Sequence, residues 1–349
     1  LFGFQWQRTR SGSLPLMPVK ANFKRYLSFE ISFNKIRGDM EFIHFAFYFG
    51  LLLFLILVIN KGYKIATSPV HLRWELYPVA HEKGKAKYGG SYLEDFEWWV
   101  KPRERDLLNE IWTMFQEIVF LKGVWEHNRP LWFGSFPFHY ALYLYIVTTL
   151  LAWVGLIFDW SSSLNPALQS NLFDTLLNVL LWIASILGIV GAIILLLKRI
   201  FDENLRLYSN PSHYFNILLI GSLYVTSFIW LTSSDNAIGE FLGFYRGVFT
   251  FSSVGNLPVI GYIHFYLLSF FLFYLPFTHM THFFTKYFTY HKVRWDDEPN
   301  FPDSKIRKKL LEQLNFPVQW SAPHIAADGR KTWLVIASSP LPTKEDNNG

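Results

Sequence analysis

The sequence predicts an all-α integral membrane bundle of five transmembrane helices, with a long loop between helices 1 and 2. Three observations predict it. Hydrophobic residues make up 51% of the 349 and aromatic rings 19%, a content rare in soluble chains of this length. Five continuous apolar runs are each about as long as a bilayer-crossing helix and carry few or no charges. From the first run onward, basic residues fall on alternate sides of those runs, as the positive-inside rule requires, and only the basic stretch 1–39 conflicts with it.

Residues 1–39 hold seven basic residues and lack the apolar run of a signal peptide. Met40 directly precedes the first apolar run, in MEFIHFAFYFG, so 1–39 is expected to be an upstream or disordered extension. The runs follow at about 41–59, 138–158, 175–197, 214–232 and 262–288. A buried helix of a soluble core seldom runs this long without a polar stripe. Segment 60–137 carries 11 Lys and Arg, and 198–213 carries Lys198, Arg199 and Arg206. Ten more lie from Lys286 to Lys344, whereas 159–174 has none and 233–261 has only Arg246. This bias places the N-terminus outside and the C-terminus in the cytoplasm of a multi-pass protein of the inner cell membrane.

Within the long loop, 104–124 mixes apolar and charged positions as an amphipathic helix does. Trp98, Trp99, Trp125 and Trp132 suit a membrane interface. His71, His81 and His127 lie in polar surroundings and read as surface or hydrogen-bonded histidines. The tail 296–349 contains prolines and ends in KEDNNG; from 315 onward it reads as a docking extension or a disordered end.

The chain has no cysteine, which excludes disulfides, thiolate zinc sites, cysteine catalysis and iron–sulfur clusters ligated by this chain. No dinucleotide or P-loop glycine motif is present, nor the GxSxG elbow of a hydrolase. The basic balance follows from topology and points to lipid rather than nucleic acid.

Histidine remains. His264 and His282 bound HFYLLSFFLFYLPFTHMTH, 18 residues apart. On one continuous helix, 18 residues make five whole turns, placing both rings on one face roughly 27 Å apart, near the thickness of a bilayer core. His139 opens the second run, at the depth of His282. Two imidazoles at one depth on separate helices are what a haem in a helical bundle requires. His279, about 60° around the helix from His282, is an alternative ligand.

The fifth run resembles the last helix of the gamma subunit of respiratory nitrate reductase. The shared features are two histidines 18 apart, Pro276-Phe277 twelve residues after the first, and a basic exit. The second run, beginning Phe138-His139, resembles that family's second helix. The resemblance covers roughly 40–295 and implies a haem b membrane domain whose inner haem is held by His139 and His282. It also implies electron exchange between menaquinone or another quinone and a cytoplasmic iron–sulfur partner. The loop sequences HLRWELYPVAHE and GGSYLEDFEWWVKPRERDLLNEI look closer to membrane subunits of heterodisulfide-reductase-like complexes of sulfate reducers and related anaerobes.

The chain departs from the family at Thr149, where a two-haem subunit carries its second helix-two histidine. His264 thus lacks its family partner. It is expected either to be a polar or quinone-contacting residue, leaving one haem, or to pair with His44 around a second. Two function classes follow: an electron-transfer subunit, or a haem-free membrane anchor that recruits a redox partner.

Overall fold

The computed structural model describes residues 19–68, 79–165, 171–252, 257–295, 300–322, 325 and 327–339, with backbone alone over 19–41 and at 293. His71 lies outside the described residues. Among them the fold is all-α, with isolated β-bridges and no sheet. The helices are α1 (Val19–Thr67), α2 (Leu107–Val119), α3 (Lys122–His127), α4 (Arg129–Ile157), α5 (Leu172–Phe201) and α6 (Glu203–Leu207). They continue with α7 (Pro211–Ser233), α8 (Ala237–Thr250), α9 (Val259–Tyr274), α10 (His282–Thr289), α11 (Lys305–Leu314) and α12 (Trp333–Ser338).

Five segments are long and apolar enough to cross a membrane: 42–67 in α1, then α4, α5, α7, and 259–277, which is α9 with the turn after it. They pack in the order α4–α5–α7–α9–α1. The seam between α4 and α1 is filled at one end by α8 and at the other by α10, whose His282 meets His139. The α10 end also bears the long segment 79–128 and is called the loop end below.

Small residues allow close helix approach, as is usual where packing rather than hydrophobicity drives association in lipid. A Cβ on Gly191 of α5 would lie 2.5 Å from the backbone N of Phe138 in α4. On Gly50 of α1 it would lie 2.5 Å from the Ser269 carbonyl of α9. Asn128 starts α4 by accepting from the Leu131 amide at 3.1 Å. The second span therefore begins nine residues before 138, and His139 lies nearly three turns inside it rather than at its opening.

The fifth run departs most from expectation. It is not one helix to 288: α9 ends at Tyr274, and two short 3₁₀ turns precede α10. Pro276 has no N–H for the helical ladder, and Thr278 is extended (φ −110°, ψ 172°). The five-turn, one-face relation between His264 and His282 therefore does not hold.

Two further stretches contribute structure outside the spans. The segment between the fourth and fifth spans forms α8, whose Phe241, Phe244 and Tyr245 are buried against residues of all five spans. Among the described residues of the tail, Pro317 pairs with Thr332, Val318 is buried, and Trp320 meets Trp333. Residues 1–18 and 340–349 lie outside the described residues. The amphipathic stretch forms α2 and α3, broken at Leu121, which adopts φ 51°.

Candidate functional site

At the loop end, α4 and α10 bring His139 and His282 together with ring centres 6.0 Å apart and planes inclined by 66°. His139 Nδ1 lies 2.8 Å from the Ser135 carbonyl, one turn earlier in α4. His282 Nδ1 lies 3.3 Å from the His279 carbonyl. A carbonyl only accepts, so both Nδ1 atoms carry the proton and both Nε2 atoms keep a free lone pair. The Tyr224 hydroxyl of α7 donates to the Phe138 carbonyl at 2.9 Å, fixing α4 beside His139.

The separation of the two ring centres is one that two axial imidazoles of an iron porphyrin would require. Metal–imidazole bonds of about 2.0 Å, with each ring centre about 1.1 Å behind its nitrogen, separate two axial rings by about 6 Å. Among the described residues no group of three or more His, Cys, Asp or Glu is placed to hold a metal ion. A haem asks only axial ligands of the protein, and two suffice.

Residues 124–296 match the nitrate reductase gamma subunit family. No curated protein and no solved structure matches the chain. The match takes in α4 to α10 and therefore both members of the histidine pair. With the five spans, it supports a membrane-embedded, quinone-linked subunit of the oxidoreductase type, resembling that cytochrome b-like family.

His279 is turned away from His139. Its ring meets His213 of α7 at 4.7 Å. Burial lowers its pKa, and so do the neighbouring His213, His282 and Arg199. His213 Nδ1 accepts from the Asn210 amide at 3.0 Å in the capping box that starts α7, so its Nε2 carries the proton. The sequence reading missed His213. The signal was the Asn-Pro-Ser-His helix start, which was not weighed.

At the far end, His264 is buried and its Nδ1 lies 2.9 Å from Thr226 Oγ1. That hydroxyl donates to the Ser222 carbonyl at 2.9 Å and so accepts from His264. Beside the ring is a cavity of about 10 Å³ lined by Tyr145, Ser227, Trp230 and Phe241 among others. It has room for about one water and none for a quinone ring. His44 stacks between Tyr48 and Phe244, with its Nε2 buried and unpartnered. Ring contacts join His44 to His264 through the Phe244–Phe265 stack. Thr149 hydrogen-bonds the buried Tyr245 hydroxyl. The far half of the bundle is thus packed with the rings of α8.

Between the site and the long loop runs a polar seam. Lys286 Nζ pairs with Glu117 of α2 at 3.0 Å, and His291 Nε2 lies 2.7 Å from Glu110. His81 Nδ1 lies 3.5 Å from the same Glu110 carboxylate. Glu117 is buried, which raises its pKa, but the Lys286 bond and charge, with hydrogen bonds from Tyr290 and the Gly123 backbone, together outweigh burial and hold it below the usual range. Lys61 of α1 donates to Thr281, next to His282, at 2.8 Å. Lys292 caps the carbonyl end of α1 at Ile65 and Ala66. Glu110 and Glu117 anchor one side of α2, while its Leu107, Leu108, Ile111 and Trp112 are exposed. The Tyr143 and Trp132 side chains of α4 donate to the Ile118 and Phe120 carbonyls, holding α2 at the level of His139.

Proposed function

We propose that the chain is the haem b membrane subunit of a respiratory redox complex, passing electrons between a quinone pool and an iron–sulfur partner. The observation that carries this reading is the His139–His282 pair, with matched separation and two free Nε2 atoms. When bound, the haem supplies one-electron transfer. The protein fixes each imidazole in its ligating tautomer through Ser135 and His279, and apolar helices keep the surroundings at low dielectric.

Lysine and arginine distribution puts the loop end in the cytoplasm and the N-terminus outside, in the inner membrane. The pair then lies near the cytoplasmic face. The chain has no cysteine to ligate a cluster, so the iron–sulfur acceptor belongs to another protein. Segment 79–106 and the described tail residues 300–322 and 327–339 form its docking surface, and α2 is an interfacial helix with its apolar side in lipid. A heterodisulfide-reductase-like partner rests on the loop sequences, and menaquinone as the substrate rests on the family resemblance.

One haem per chain is the expected content, since Thr149 replaces a ligand and His264 is bonded to Thr226. A reduced-minus-oxidised spectrum of the purified chain tests the proposal. Low-spin b bands are expected, lost in His139→Ala and in His282→Ala and kept in His279→Ala. A chain without bands is a haem-free anchor, and loss in His279→Ala alone moves the ligand by one turn.

A further inference from the structure

A second polar cluster at the loop end has no part in ligation. Arg199 ends α5, His213 opens α7, and His279 sits in the turn before α10. The Arg199 guanidinium donates through Nη1 to Ser209 Oγ at 2.7 Å, and its Nε is buried without a partner. No carboxylate among the described residues pairs with it. His213 presents an Nε2–H, because its Nδ1 accepts from Asn210. The His279 ring is packed against His213, and the His279 carbonyl is the atom that orients His282.

Three elements therefore converge donors and positive charge at the loop end, with no carboxylate among the described residues to balance Arg199. A buried guanidinium nitrogen left unpaired is costly, and such a nitrogen is normally satisfied by an anion with oxygen acceptors. The position narrows the choice of anion. Gly191 brings α5 into backbone contact with Phe138, next to His139, and Arg199 lies eight residues, about 12 Å, further along α5 toward the loop end. His279 is one turn from His282. An anion here would lie on the loop-end side of the pair, within one turn of His282 along the chain.

We propose that Arg199, His213 and His279 form a carboxylate site that receives a propionate of the haem held by His139 and His282. The inference rests on the haem reading above. Arg199 supplies the fixed charge and fork of donors, and His213 a neutral N–H. Pairing with a cation withdraws electron density from the haem edge and stabilises the reduced state. An anionic lipid phosphate presents the same oxygen chemistry and is the competing source.

The test uses the full chain in detergent, loaded with haem. Midpoint potentials are measured by optical titration for wild type, Arg199→Gln, Arg199→Lys and His213→Gln. Arg199→Gln is expected to keep bis-histidine bands and to disfavour reduction about tenfold, a fall of about 59 mV for one electron. Arg199→Lys is expected to recover most of that shift, and His213→Gln to give a smaller fall. A potential unmoved in Arg199→Gln, with haem still bound, overturns the inference. If native mass spectrometry then shows that the variant has lost an anionic-lipid adduct, the site belongs to lipid. A wild-type chain without b bands instead sinks the haem reading itself. Should Arg199→Gln fail to fold, His213→Gln and His279→Gln carry the same comparison, and unchanged potentials in both overturn the proposal.

Discussion

Replacing Gly191 with alanine tests whether backbone contact between α5 and α4 positions His139, the proposed haem ligand. The added methyl would lie 2.5 Å from the Phe138 nitrogen and 2.8 Å from its Cα and Cβ. Ordinary van der Waals contact begins near 3.4 Å, so the helices must part by close to 1 Å. The obstruction is largely backbone, which cannot rotate away. Overpacking of this kind costs about 1–3 kcal/mol, and alanine's better helix propensity returns at most about 1 kcal/mol. The net expectation is a loss of about 1–2 kcal/mol, with His139 displaced from His282. Gly62→Ala is the control, because its methyl meets only a Phe284 ring atom at 3.9 Å. Unfolding in mixed micelles measures both variants, and the haem spectrum reports the ligand pair. Equal stability and identical spectra for the two alanines would refute the idea that close approach at Gly191 holds His139 in place.

Three other outcomes follow from the same geometry. Phe244→Ala, at a fully buried ring in the far-end core, is expected to cost about 3–5 kcal/mol in unfolding titrations while leaving the His139–His282 spectrum intact. Glu117 is held below its ordinary value, so its pairing with Lys286 is present above the unfolded value of 4.5 and is lost as pH falls through the folded value. Protection factors for amide exchange in α2, taken relative to the intrinsic rate at each pH, are expected to fall on acidification in wild type and to be low and independent of pH in Glu117→Gln. The absence of native cysteine allows single-site labelling, and nitroxides at Leu108→Cys and Trp112→Cys in nanodiscs are expected to be reached by oxygen and shielded from a water-soluble relaxant. Access by the aqueous reagent sinks the lipid-facing assignment of α2.

Much of the fold was legible because lipid leaves few options. A long uncharged run must be a helix, since its backbone has no water to bond, and the five runs became five spans. The nearness of His139 and His282 was also expected, from depth and from the family pattern, and their rings lie 6.0 Å apart. Local breaks were not. Pro276 was visible but was read within a motif rather than as the loss of an N–H, so a continuous helix was drawn through it. The helix α8 is too short to span, and its Phe241, Phe244 and Tyr245 show the i, i+3, i+4 spacing of a buried face. The charge content of that segment bears on its side of the membrane and says nothing of its packing. The contacts of His213, Arg199 and Lys61 depend on which helices adjoin, and no spacing within one segment encodes that.

The far end offers the sharpest contrast with the loop end, and Thr149→His tests it. If the missing histidine were the sole defect, restoring it opposite His264 would create a second haem site. The packing argues otherwise. Thr149 hydrogen-bonds Tyr245, which is 2% exposed, and Tyr245 packs edge-on against Phe244 and Phe265. His264 is held by Thr226, and the space beside it is about 10 Å³. A porphyrin there must displace several rings of α8 that unite all five spans in one core. Thr149→His alone adds volume to a filled interior, at a cost of about 1–3 kcal/mol. Haem per chain, from the pyridine haemochrome, is expected to stay at its wild-type value while unfolding resistance falls. A gain approaching one further haem per chain would show that α8 yields to the cofactor and that ligand identity, not packing, closes the far site.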